Sequence, residues 1–152
     1  MEYIQLKKDD ILRVGIKDAN GKDTGEHLEF DLEDIELPLR IEEAMEKHKR
    51  NMEELQKRKF ILDKNKDNKR NDMETLKLMK EFFVKEEKTL DLFLGKGGTK
   101  KMLNGRKYYY TMFDDIIEML DPIFPLIEER AGKIADKIKN KYGNKEEEEV
   151  LE

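Results

Sequence analysis

The chain is 152 residues long, 44% of them charged, with a net charge of -5, no cysteine and no serine. That profile excludes disulfides, thiolate nucleophiles, cysteine metal centres and serine hydrolysis before any motif is read. The length suits one domain with one main core, and the large apolar residues recur periodically, so exposed helices with charged faces are expected rather than wholesale disorder.

The start, Met1-Glu2-Tyr3-Ile4-Gln5-Leu6-Lys7-Lys8, lacks a long apolar core behind a basic beginning. No run approaches the roughly 18 apolar residues of a membrane span. A soluble, cytoplasmic protein with no membrane partner is the expectation. Residues 1–33 carry five basic and nine acidic residues, residues 34–94 carry fifteen of each, and residues 95–152 carry eleven and twelve. No strongly basic domain stands out, and lysine far outnumbers arginine, which disfavours a general nucleic-acid footprint.

The predicted class is α+β, predominantly α: an N-terminal antiparallel β-hairpin or three-stranded meander packed on a helical hairpin and C-terminal helices. Residues 1–33 form the β region. Leu12, Val14 and Ile16 alternate on one face before the turn-rich Asp18-Ala19-Asn20-Gly21-Lys22-Asp23-Thr24-Gly25, and Leu28, Phe30 and Leu32 alternate after it. Ile4 and Leu6 are candidates for a third strand. A lone hairpin is marginal in water, so its apolar face must pack on the helices that follow.

Residues 34–94 read as a helical hairpin. Pro38 suits a first helical turn. From there Ile41, Met45, His48, Met52, Leu55, Lys59 and Leu62 recur at spacings of four and three, a narrow seam that can pair within the chain or between chains as a homo-oligomer. The polar stretch at residues 63–72 interrupts the apolar period and is read as the helix-helix turn in preference to one long rod. Met73, Leu76, Met79, Phe83, Leu90 and Leu94 carry a second helix, widened by Phe82 and Val84.

A basic, glycine-rich connection at residues 95–107 follows, then C-terminal helices over residues 108–143. These hold Phe113, Ile116, Ile117, Leu120, Ile123, Phe124 and Ile127, with Pro122 and Pro125 predicting a kink near residues 121–125. Residues 1–143 are read as one domain. Residues 144–152 are read as a disordered acidic tail.

Gly95-Lys96-Gly97-Gly98-Thr99-Lys100 invites a phosphate-loop reading, since backbone N–H groups and a lysine can cradle an anion. The Walker spacing is absent, because Lys96 is followed by Gly97, and no strand precedes the loop. Lys96, Lys100, Lys101, Arg106 and Lys107 run without an intervening acid beside Tyr108-Tyr109-Tyr110, the clearest positive patch. Such a patch can bind phosphates and stacked bases, an acidic protein surface, or simply solvate a loop that the tyrosines anchor. His27 and His48 lie far apart in different element types and offer no metal spacing. Adjacent acids such as Asp114-Asp115 point apart on a helix, so no hydrolytic dyad is supported. Among the eight methionines, Met45, Met52, Met73, Met79, Met112 and Met119 fill cores or line an adaptable groove.

The order of a short hairpin ending Phe30-Asp31-Leu32-Glu33-Asp34, a charged helical middle, then Asp91-Leu92-Phe93-Leu94-Gly95-Lys96-Gly97-Gly98-Thr99-Lys100-Lys101-Met102-Leu103-Asn104-Gly105-Arg106 and an aromatic-rich helix resembles phage tail assembly chaperone-like proteins. These are encoded in tailed phages and prophages of low-GC Gram-positive bacteria. The chain departs from the family pattern by Leu94 between Phe93 and Gly95, and by Leu103 where an aromatic is common. The resemblance implies a non-enzymatic helper in the bacterial host cytoplasm, without cofactor or metal. It would bind the tape measure protein, with the tail tube protein as a second candidate partner, until the tail polymerises. On that reading residues 91–113 and the apolar helical faces meet the partner, through Phe93, Lys96, Lys100, Lys101, Met102, Leu103, Arg106, Tyr109 and Phe113. The rival readings are a nucleic-acid-binding phage regulator using residues 96–107 and a structural component of the tail.

Overall fold

A computed structural model describes residues 1–64 and 68–143, with backbone alone at residues 68–70. The chain is predominantly α with a two-stranded antiparallel hairpin at its N-terminal side. In order come β1 (Ile11–Lys17), β2 (Asp23–Asp31), α1 (Glu36–Asp63), α2 (Asn68–Leu94), α3 (Gly98–Leu103), α4 (Met112–Leu120), α5 (Phe124–Ile138) and a π-helical turn (Lys139–Gly143).

The hairpin follows from the period-two pattern. Leu12 faces Phe30 and Val14 faces Leu28 across the strands, so one side is apolar, while Arg13 opposite Glu29 lies on the other. At the turn Asp18 Oδ1 accepts the N–H groups of Asn20 and Lys22, both at 2.9 Å, and Gly21 takes φ 80°, the left-handed conformation open to glycine. Among the described residues no third strand forms. Residues 1–9 lie outside both strands, Asp10 only extends the hairpin by accepting the Leu32 N–H at 3.0 Å, and Ile4 and Leu6 are exposed. The alternation over these few residues places too little apolar surface against a core to hold another edge strand in place.

β2 packs on α2 and α3, where Leu28 and Phe30 enter the core with Leu37, Phe82, Leu90, Leu94, Met112 and Ile116. Asp34 opens α1: its carboxylate accepts the Glu36 N–H at 2.9 Å and a charged hydrogen bond from Arg40 at 2.6 Å, and that guanidinium holds the carboxyl below its ordinary range. α1 and α2 lie antiparallel, as the cross-links Arg58–Glu81 at 2.5 Å, Lys85–Glu54 at 2.8 Å and Asn51–Glu86 at 2.9 Å require. This is the expected helical hairpin. Of the interruption at residues 63–72, α1 claims Asp63 and α2 resumes at Asn68; residues 65–67 lie outside the described residues, as does the acidic tail from residue 144.

The seam is not uniformly apolar. Glu86 is fully buried, accepting from His48 Nδ1 at 2.6 Å and from Asn51 Nδ2, whose amide also reaches Thr89 Oγ1 at 3.2 Å. The His48 ring stacks on Phe113 of α4 at 3.9 Å between centroids and 5° between planes. His48 is thus a buried-network donor that ties α1, α2 and α4 together. The predicted kink appears as a clean break: α4 ends at Leu120 and α5 restarts at Phe124 with Pro125 in its first turn, where a missing N–H costs little.

Candidate functional site

The connection after α2 is ordered, and it is where the sequence expectation of a loop is corrected. Gly95, at φ 88°, ends α2 in a left-handed cap, and the six residues from Gly98 then form α3. The cause is Asp91, one turn before the end of α2. Its Oδ1 accepts the Thr99 N–H at 2.9 Å and the Thr99 hydroxyl at 2.7 Å, while Oδ2 accepts the Gly97 N–H at 3.3 Å. A carboxylate at a helix start satisfies donors that the helix leaves free and meets the positive end of its dipole. The chain's own carboxylate therefore occupies the place a phosphate would take in a phosphate loop. Gly98 is required for closeness: a Cβ there would stand 2.5 Å from Leu94 Cβ.

α3 ends in two left-handed residues, Asn104 (φ 49°) and Gly105 (φ 82°), which reverse the chain so that residues 106–110 run back beside α2. Tyr108 fixes that return by donating its hydroxyl to Glu87 Oε2 at 2.8 Å; burial, then this bond, pushes the phenol up to about 12. Its ring tilts against Phe83. Arg106 lies over the Tyr109 ring at 3.7 Å from the centroid, and burial followed by the Asp115 carboxylate raises the Tyr109 phenol as well.

Between α2 and this returning segment lies a groove of about 800 Å³. Its apolar wall is Leu76, Met79, Phe83 and Leu103, and its cations are Lys80, Lys100, Arg106 and Lys107. Glu87 is the one acid in the lining, and its carboxylate already holds Tyr108. Leu76 is 63% exposed and Tyr110 86%, so apolar surface stands open at the mouth.

Of the nine residues expected to meet a partner, the groove gathers Lys100, Leu103, Arg106 and Tyr109. The other five lie elsewhere. Phe93 is buried with its ring against Phe124, Phe113 stacks on His48, and Met102 packs on the core. Lys101 points to Glu26 of β2 at 4.0 Å, and Lys96 stands exposed outside the groove. The apolar helical faces are expected to meet the partner, and Met79 to fill the core or line a groove, but α2 is given a single apolar face. It has two: Leu78 and Phe82 are buried in the fold, while Leu76 and Met79 face the groove. The signal available was the width of the stripe, since residues from Met73 to Val84 cover more than the one face a hairpin partner can bury.

Among the described residues, no group of three or more histidines and acids is arranged to hold a metal ion, and no helix is long and apolar enough to cross a membrane. Compared with known proteins, the chain matches no family model, no curated sequence and no solved structure.

Proposed function

We propose that this protein is a non-enzymatic assembly chaperone of the phage tail type, holding an apolar helical segment of a tape measure protein, and secondarily of a tail tube protein, until assembly. The observation that supports this reading is the groove between α2 and residues 103–110. It has an open apolar wall, most of it Leu76, Met79 and Phe83 of α2, and the segment that carries the resemblance supplies Lys100, Leu103 and Arg106 to its lining. A preformed apolar groove beside a helix is a known way to shelter a partner helix. Met79 in its wall adds a side chain that adapts to different occupants.

The test is co-expression of tape measure fragments with and without this protein, followed by measurement of soluble yield and by pull-down. A several-fold rise in soluble fragment, with the two recovered together, is expected. Equal recovery with and without this protein would remove the chaperone role, and its retention in purified particles would favour a structural component.

A further inference from the structure

We infer that the groove selects an acidic amphipathic helix, a step that rests on the binding reading above and names the chemistry of its occupant. The whole chain carries a net charge of -5, yet the groove lining holds four cations against one acid. Among the described residues, Lys80, Lys100 and Lys107 make no ion pair, and Arg106 meets only the Tyr109 ring. Unpaired cations are common elsewhere on the described surface; what marks these four is that they line one groove together with Leu76, Met79, Phe83 and Leu103. A cluster of like charges left without counter-charges beside open apolar surface is complementary to a ligand bringing both acid and hydrocarbon. Opposed charge of this kind sets the choice of partner and the rate of encounter more than it sets total affinity.

Three features favour a peptide over a nucleic acid for these cations. The lining they share is aliphatic and aromatic, with Leu76, Met79 and Phe83 on the helix of Lys80 and Leu103 on the helix of Lys100, where a helix lays its apolar face and a phosphate backbone gains nothing. Two of the three tyrosines are engaged, Tyr108 by Glu87 and Tyr109 by Arg106, which leaves Tyr110 as the free stacking ring. Lysine supplies three of the four cations, giving point charges without the planar fork that reads phosphates and bases.

The helix itself can be specified. Its apolar side chains recur at i, i+3, i+4 and i+7 to meet Leu76, Met79, Phe83 and Leu103, and glutamate or aspartate flanks that stripe to meet Lys80 on α2 and Lys100 on α3.

The probes are two labelled synthetic helices of about 20 residues, long enough to populate helix in water. Both carry leucine on the stripe and alanine on the far face, and they differ only in glutamate or lysine at the positions flanking the stripe, which limits like-charge repulsion along each helix. Fluorescence anisotropy with the full chain should show the glutamate peptide binding at least tenfold more tightly, with the preference shrinking as salt is raised from 50 to 300 mM. The double variant K80E/K100E alters two exposed side chains that pair with no acid among the described residues, so it should fold normally by circular dichroism. It should lose or invert the preference. Equal binding of both peptides, or a preference that survives the double variant, would overturn the inference, as would a single-stranded oligonucleotide displacing the glutamate peptide at lower concentration than unlabelled peptide does. The two readings separate cleanly: peptide preference without any effect on tape measure recovery removes the chaperone and keeps the acidic helix, and recovery without peptide preference does the reverse.

Discussion

Replacing Asp91 with alanine should unseat α3 and with it half of the groove. The substitution removes the acceptor for three donors, and Thr99, which supplies two of them, is fully buried. The hydroxyl has a fallback in the Glu87 carbonyl at 3.4 Å, but the Thr99 N–H has none nearby. A hydrogen bond to a charged group contributes about 1.5–3 kcal/mol, and a buried donor left alone costs about 1–3 kcal/mol, so the two Thr99 bonds and the weaker Gly97 bond together set a loss of about 3–5 kcal/mol. Asp91→Asn keeps Oδ1 as a neutral acceptor for Thr99 and should lose only about 1–2 kcal/mol. Urea unfolding at pH 7 followed by far-UV circular dichroism measures both. With a slope of about 2 kcal/mol per molar urea, the alanine variant should unfold about 1.5–2.5 M earlier than the parent. A loss below 1 kcal/mol in the alanine variant, or equal losses in the two variants, would refute the view that the carboxylate is the clamp.

Two glycines should respond to alanine with opposite sign. Gly98→Ala drives a Cβ to 2.5 Å from Leu94 Cβ and should cost about 1–3 kcal/mol, seen as a fall in Tm. Gly132→Ala in α5 meets nothing within 4 Å and should gain up to about 1 kcal/mol from helix propensity; a fall in Tm there would contradict the open surface described for it. Glu86→Ala removes the acceptor of both His48 and Asn51 and leaves a cavity, so chemical denaturation should show a loss of about 2–4 kcal/mol, with Glu86→Gln costing clearly less. Tyr108 binds its proton more tightly when folded, with a pKa of about 12 against an ordinary value of 10.0, because burial disfavours the phenolate. The unfolded chain therefore releases this proton first, and the stabilisation, complete below pH 10, drains away between pH 10 and 12. Urea midpoints measured across that window should fall more steeply in the parent than in Tyr108→Phe, and parallel slopes would count against the buried phenol.

The parts of the fold that were legible in the sequence are those encoded by period. The Leu12/Val14/Ile16 and Leu28/Phe30 alternation gave the hairpin and its buried face, and the spacing from Ile41 to Leu62 gave α1. What period could not carry is contact between residues distant in sequence or of unlike type. α3 escaped notice because its six residues are too few for an apolar repeat and its start is held by Asp91, a residue of the preceding helix. The Glu86 network was hidden for a similar reason: an isolated glutamate in a charged helix looks solvated until His48 and Asn51 are placed opposite it. At the candidate site, the basic run and the tyrosines pointed to the segment that forms one side of the groove. Phe93 and Phe113, however, were drawn inward by Phe124 and His48, because aromatic rings beside a core gain more from burial than from solvent.

The buried glutamate also acts as a register key for the helical hairpin. Leucines and methionines along a seam exchange places at little cost, so an apolar interface tolerates a slide of one helical turn, about 5.4 Å. A carboxylate that finds its donors at one alignment does not. Glu86 needs His48 and Asn51 together, one on each oxygen, and slipping α1 past α2 by a turn would carry one of the two out of reach and leave a buried carboxylate oxygen without its donor. A single polar position thereby singles out one pairing among several of similar apolar content, as a lone asparagine does in a coiled coil. Because Phe113 is stacked on the same histidine, the choice of register propagates to the seating of α4.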